Sequence, residues 1–237
     1  HMFSAEHRFM GGHGIVGGQV PLATGYGWKI KYKEEDGVAV CFMGDAAVNQ
    51  GAFHESLNLA AVWNLPVIYV VEHNEYGMGT AFSRVSTTDM QEKSASHGIP
   101  GISVDGQDVL ATYQLFKKLA ADVRDGAGPQ FVNLETYRFR GHSMSDPVSG
   151  TYRSTEEVDR HKEEEDPIRV LRDKLFAGDH LDQDGLEEMD AEARRIATEA
   201  AEFAEGSAVP GAETLYENVW AEVNPHGRLF FDGRSRD

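Results

Sequence analysis

Two short, wholly apolar runs limit what this chain can fold into. Residues 38–43 (Val-Ala-Val-Cys-Phe-Met) run into Gly44-Asp45, and residues 66–71 (Pro-Val-Ile-Tyr-Val-Val) run into Glu72-His73-Asn74. Runs of this length without polar alternation have the form of strands buried on both faces of a parallel sheet. Between them, residues 49–63 carry Phe53, Leu57, Ala60 and Ala61 at helical spacing. Parallel neighbours need such a crossover. A short strand at 102–104, a helix over 109–123 and a strand over 130–139 extend the pattern, and a Gly-rich loop at 11–18 leads into a small-residue helix over 18–32. Beyond Ser154 the pattern turns helical, with one helix starting at Asp166-Pro167 and a longer one over 184–203. The expected fold class is α/β, a parallel sheet with crossover helices followed by a helical C-terminal segment. The expected division is an α/β domain over 1–160, a helical acidic segment over 161–225 and a tail over 226–237.

Composition excludes several functions. The 237 residues include 22 Lys+Arg against 39 Asp+Glu, a net charge of -17. Such a chain repels phosphate backbones, so no nucleic-acid partner is expected. Most of the excess lies beyond residue 153, as expected of a solvated helical segment or an acidic docking face. No apolar run approaches the ~20 residues of a membrane span, and the start has no signal-peptide form. The single cysteine, Cys41, leaves no internal disulfide and suits a reducing compartment.

In a parallel sheet, ligands sit beyond the carboxyl ends of the strands. Three loops should meet there: 44–51, 72–80 and 140–153. Asp45 and Asn74 are the tips of neighbouring strands in a strand–helix–strand unit, so a carboxylate and an amide oxygen face one point. One carboxylate, one amide and a backbone carbonyl suit Mg²⁺, which takes its remaining ligands from phosphates and water. The sequence therefore reads as a metal–diphosphate site. Gly51 and Gly77 allow close backbone approach, and the helix behind Asn49 offers N–H groups to an anion. A lone Gly-Asp after a strand also reads as a helix cap, and Asn74 is what adds a second tip.

Three strings carry a resemblance. They are Gly44-Asp45-Ala46-Ala47-Val48-Asn49-Gln50-Gly51, Glu72-His73-Asn74-Glu75-Tyr76-Gly77-Met78-Gly79-Thr80, and Tyr137-Arg138-Phe139-Arg140-Gly141-His142-Ser143-Met144-Ser145-Asp146-Pro147. Together they resemble the alpha subunits of the thiamin-diphosphate-dependent 2-oxo acid dehydrogenases, over nearly the whole chain from Phe3 to Glu217. The Asn-Gln-Gly, Tyr-Gly-Met-Gly-Thr and Gly-His-Ser-Met-Ser-Asp-Pro strings point to the pyruvate dehydrogenase branch rather than the branched-chain or acetoin ones.

The resemblance implies a thiamin-diphosphate-binding fold and two cofactors, thiamin diphosphate and Mg²⁺. It implies oxidative decarboxylation of pyruvate with reductive acetylation of a lipoyl group, on the way from glycolysis to acetyl-CoA. Asp45 and Asn74 would bind Mg²⁺ through side-chain oxygens and Tyr76 through its carbonyl. Gly14 and Val16 would meet the aminopyrimidine, and Ala46, Ala47 and Gly77 would line the diphosphate. His142 would stand near the diphosphate as the catalytic residue, with His13 a candidate for substrate approach and His54 structural. Ser143 and Ser149 would be candidate phosphorylation positions, where added charge beside His142 would disorder or block the loop. The implied partners are a beta subunit in an α2β2 assembly, which supplies the activating carboxylate, and a dihydrolipoyl acyltransferase core with its lipoyl domain. The implied compartment is the bacterial cytoplasm or the mitochondrial matrix.

Two residues depart from the family pattern. Ala46 stands where the family has Gly, and costs on the order of 1 kcal/mol if that position needs positive φ. His73 stands where the family usually has Asn. The family also carries a further region ahead of Phe3, so a fragment, a split-gene product or a degenerate paralogue is expected, with apolar surface exposed where that region packs. A non-catalytic interaction protein that keeps only subunit contacts is the reading from another class.

Overall fold

The computed structural model describes residues 3–216. The expected tail at 226–237, and the end of the expected helical segment, lie outside the described residues. In chain order come α1 (Gln19–Tyr32), β1 (Ala39–Gly44), a 3₁₀ turn (Asp45–Asn49), α2 (Gly51–Val62), β2 (Val67–His73), a small hairpin of β3 (Tyr76–Gly77) and β4 (Thr80–Ala81), and α3 (Met90–Ala95). These are followed by β5 (Gly101–Asp105), α4 (Val109–Arg124), β6 (Gln130–Glu135), α5 (Thr155–Glu164), α6 (Pro167–Ala177) and α7 (Gln183–Gly206). The main sheet is parallel, in the order β1-β2-β6-β5. The α/β expectation is met.

Register levels the strand ends. Gly44 pairs with Glu72, and His73 with Glu135, so the tips of β1, β2 and β6 finish side by side. Period-two alternation along β2 sends Val67, Tyr69 and Val71 to one face and Ile68 and Val70 to the other. The first set packs with Val20, Phe53, Leu57 and Phe131 under α1 and α2. The second packs with Leu119, Val123 and Val132 under α4. Both faces of β2 are therefore sealed, as its unbroken apolar run requires.

β1 departs from the expectation of burial on both faces. Cys41 and Met43 are buried, but Val40 is 44% and Phe42 54% exposed. The strand lies at the sheet edge, and among the described residues no helix covers its second face. An open groove of about 1070 Å³ runs beside it, lined in part by Phe9, Leu22, Tyr26, Val40 and Phe42. The expected strand over 130–139 stops at Glu135; Thr136 gives its N–H to the His73 carbonyl, and the chain then leaves the sheet. Burial pushes the Cys41 thiol up to about 12, which leaves it a small inert core group.

The chain divides into two compact units, residues 1–180 and 181–237. In the second, α7 begins at Asp182, whose side chain accepts from the Gly185 N–H. Its Arg195 pairs with Glu192 and Glu199 one turn away on either side. Among the described residues, no helix is long and apolar enough to cross a membrane.

Two glycines of α1 give a matched test of the α1–β2 contact. A Cβ at Gly27 would overlap Cγ2 of Val67, whereas a Cβ at Gly25 meets open space. Gly25→Ala should stabilise by about 0.5–1 kcal/mol through helix propensity. Gly27→Ala should destabilise by roughly 1–3 kcal/mol through overpacking. Denaturant midpoints measure both, and shifts of the same sign would refute the close approach of α1 to β2.

Candidate functional site

Asp45 is the first residue past β1 and only 2% exposed. The backbone amides of Ala46 and Glu75 lie beside its carboxylate and favour the charged form. Its Oδ2 has no hydrogen-bond partner among the described residues. Burial pushes its pKa up, only partly opposed by His73, the two amides and Arg138. A buried carboxylate oxygen without a donor is costly.

His73 sits beside it, with Nε2 at 3.9 Å from Oδ2. The other ring nitrogen, Nδ1, lies 3.2 Å from Oδ1 of Asn133. Asn133 is oriented by giving its own N–H groups to Ser103 and Glu135. With the Asn133 amide group so used, its Oδ1 is the acceptor and the His73 Nδ1–H donates to it. The replacement of the family's Asn is thus a ring pinned by β6 and packed edge-on against Phe82.

The Glu75 N–H that reaches Asp45 belongs to the loop that carries the other two predicted metal ligands. Asn74 Oδ1 accepts from the Tyr76 N–H at 3.2 Å. The Tyr76 carbonyl accepts from Nη1 of Arg138 at 3.2 Å, and the Met78 carbonyl from Nη2 at 2.8 Å. Each of these oxygens keeps a second lone pair. The donor set is one unpaired carboxylate oxygen, one amide oxygen and one peptide oxygen on adjoining loops, which fits a hard cation. Among the described residues no group of three or more His, Cys, Asp or Glu could hold a metal, so an ion here would depend on the amide and peptide oxygens.

The Gly-rich loop also arrives here. Gly17 is buried at φ +79°, and a Cβ on it would press on Gln50 at 3.1 Å, so the loop rests on the end of the 3₁₀ turn. Gly14 and Val16 are exposed just ahead of it. Ala47 is in the core, so only its backbone could face a ligand. Ala46 is exposed, in a 3₁₀ turn and outside the left-handed region, so its methyl brings no backbone strain.

The 140–153 loop folds over two arginines. Arg138 also bonds the Tyr152 hydroxyl at 2.9 Å, and Asp146 accepts from that hydroxyl and from the His142 N–H, both at 2.7 Å. Arg153, 4% exposed, donates to the carbonyls of Val148, Arg138 and Arg140. Tyr152 packs against Gly79. The three loops thus converge as expected. The His142 ring is exposed and makes no hydrogen bond among the described residues. Ser143 pairs with Ser145, and Ser149 with Thr155 at the start of α5. His54, read as structural, pairs its Nδ1 with Nε2 of His97 at 3.1 Å.

Sequence reasoning missed Arg138, Asp146, Tyr152, Arg153 and Glu157 as site residues. Ser154-Thr155-Glu156-Glu157 has the form of a helix start in which the glutamate turns back to its own N-terminus. The Ser154 cap is present, accepting from the Glu157 N–H. The Glu157 carboxylate, however, accepts from two phenols, Tyr137 at 2.7 Å and Tyr76 at 2.9 Å.

The Ala46 methyl has a reciprocal partner. A Cβ at Gly77 would lie 2.6 Å from Cβ of Ala46. Gly77→Ala should destabilise by about 1–3 kcal/mol, and adding Ala46→Gly should recover most of that loss. A double-mutant cycle on denaturant midpoints checks this. Purely additive effects would mean that the two loops do not touch.

Comparison with known proteins places this geometry. The family described as the dehydrogenase E1 component matches residues 1–213. The pyruvate dehydrogenase E1 component subunit alpha of Rhizobium meliloti (strain 1021) is 45% identical over 220 residues, 92% of this chain and 63% of that protein. The protein of the same name from Zymomonas mobilis is 44% identical, over 92% of this chain and 61% of that protein. A mitochondrial one from Sminthopsis macroura is 40% identical, over 95% and 61%. The chain therefore spans about three fifths of the length of these relatives. With strand tips, loops and departures accounted for, and the match running from residue 1 to residue 213, the chain belongs to the dehydrogenase E1 component family.

Proposed function

We propose that this chain supplies the metal–diphosphate half of a thiamin-diphosphate site, as the alpha subunit of the decarboxylating component of pyruvate dehydrogenase. The observation that carries the reading is the buried, unpartnered Oδ2 of Asp45 beside the loop of Asn74 and Tyr76. Asp45, Asn74 and the Tyr76 carbonyl would hold Mg²⁺. Gly14 and Val16 would contact the aminopyrimidine through backbone groups, and Ala46, Ala47 and Gly77 would border the diphosphate. When bound, the thiazolium supplies a nucleophilic carbon and an electron sink for decarboxylation of a 2-oxo acid. This chain's own work is to bind, orient and neutralise. Asp45 offsets the charge of the ion, and Gly77 lets backbone approach closely. His142, on an exposed loop end, would donate a proton or hydrogen bond toward the diphosphate side.

The names of the relatives and the Gly-His-Ser-Met-Ser-Asp-Pro string favour pyruvate over branched-chain 2-oxo acids or acetoin. A beta subunit, in an α2β2 arrangement, would complete the site, and a lipoyl domain on a dihydrolipoyl acyltransferase core would accept the acyl group. Ser143 is exposed next to His142, so a phosphate on it would set about -1.5 to -2 charges against an anionic cofactor. Ser149 would act through Thr155 and the start of α5. The compartment in this reading is the bacterial cytoplasm or the mitochondrial matrix.

Calorimetry on the full-length chain assembled with its beta subunit tests the reading. Asp45→Ala should weaken Mg²⁺-dependent thiamin diphosphate binding by on the order of 100-fold or more. Thermal stability without cofactor should hold or rise, because the mutation removes a desolvated carboxylate oxygen. Binding unchanged in Asp45→Ala would overturn the metal assignment. Absence of binding in the unmodified assembly would favour the non-catalytic reading.

A further inference from the structure

The peptide of Tyr76 sits in a hairpin that is strained on both sides. Glu75 at φ +71° and Met78 at φ +52° are in the left-handed region without being glycine, at a cost of order 1 kcal/mol or more each. β3 and β4 have two residues apiece, too little pairing to hold such a turn alone. Arg138 holds the Tyr76 carbonyl oxygen itself, and the strained turn around it needs a second anchor.

The Tyr76 side chain is the candidate. Its hydroxyl gives its proton to Oε1 of Glu157, 81 residues on, at 2.9 Å. The same oxygen takes the Tyr137 hydroxyl at 2.7 Å. Glu157 cannot swing freely. Its backbone is held by the Ser154 cap, and it stands in the first turn of α5, where a carboxylate suits the helix dipole. The acceptor is braced from both sides. His161, one turn on, stacks on the Tyr137 ring with centroids 3.8 Å apart and the planes 8° from parallel. The Arg153 guanidinium lies over the rings of Tyr137, Tyr152 and Tyr76 at 5.3, 5.6 and 5.9 Å.

We propose that Glu157 is a positioning residue for the metal: by anchoring the Tyr76 phenol to the start of α5, it fixes the direction of the Tyr76 carbonyl on the Asp45–Asn74 side. The proposal deepens the functional reading above and rests on it. Glu157 touches neither ion nor cofactor; it acts through the rigid ring, whose only freedom once the hydroxyl is held is to carry the peptide with it. The Asn74 side chain holds the Tyr76 N–H, in the peptide just before that carbonyl, so Tyr76 is clamped at its amide and at its side chain while the carbonyl keeps a lone pair for a cation.

The experiment titrates Mg²⁺ at saturating thiamin diphosphate on the full-length alpha chain assembled with its beta subunit, reading cofactor binding by calorimetry rather than turnover. Glu157→Ala should raise the half-saturating Mg²⁺ by about tenfold, the loss expected when a charge-assisted hydrogen bond is removed. Tyr76→Phe, which removes only the hydroxyl, should give a shift of similar size, and the double variant no more than either alone. Glu157→Gln keeps an oxygen that can accept both phenols and should stay within about threefold of the unmodified chain. Tyr137→Phe leaves the Tyr76–Glu157 bond in place and should shift the titration little. A mere structural tie of α5 would lower thermal midpoints in Glu157→Ala and leave the Mg²⁺ titration of Tyr76→Phe unchanged, and that outcome overturns the proposal. If Glu157→Ala does not fold, Tyr76→Phe and Glu157→Gln decide alone. Asp45→Ala in the same series separates the two failures. If it has no effect, the metal site itself is misassigned; if it abolishes binding while Tyr76→Phe is silent, only the role of Glu157 falls.

Discussion

The parallel register of β1 and β2 is the constraint from which the rest of the site follows. Pairing Gly44 with Glu72 finishes both strands at one level. The chain turns directly after Gly44 and one residue later past β2, which brings Asp45 beside the Glu75 amide. A carboxylate placed there is cut off from water, at only 2% exposed. Its Oδ2 is buried without a hydrogen-bond partner among the described residues. A one-residue slip of β1 would send Cys41 and Met43 to the open face and Val40 and Phe42 into the core, and would carry Asp45 away from its loop.

Around that point the chain uses long-range side-chain bonds where secondary structure is thin. β3 and β4 are too short to hold themselves. Arg138 takes up the free carbonyls of Tyr76 and Met78, and Glu157 takes the phenol. Arg153 then satisfies three carbonyls of a loop that has no ladder of its own. Buried polar backbone must be paired, and in this region guanidinium groups do what strands do elsewhere. Ser143 is exposed and Ser149 half-buried on this loop, which Arg138 ties to the Tyr76 hairpin.

The two departures from the family pattern take on physical content in this setting. Ala46 brings no backbone strain, and its methyl fills the space left by the missing Cβ of Gly77. His73 exchanges a small amide for a ring held by Asn133 on the neighbouring strand. Asn133 is itself buried on β6, so the accommodation of one changed residue reaches across the sheet.

Read alone, the sequence determined the main strands, their crossover helices, the parallel sheet, and the convergence of the 44–51, 72–80 and 140–153 loops. It could do so because buried strands must be apolar, crossovers must be helical, and the carboxyl ends of parallel strands share one edge; these are local patterns with one solution. It misjudged β1, whose apolar run reads the same whether one face is covered or two, since coverage depends on what lies alongside and not on the strand. It turned helical beyond Ser154 and gave Glu157 no role. Only the folded chain decided that Glu157 would turn away from its own helix toward two tyrosines, that Arg138 would hold the hairpin, and that Arg153 would hold the loop. Those choices are set by which groups are left unpaired when distant segments pack together, a quantity that no window of neighbouring residues contains.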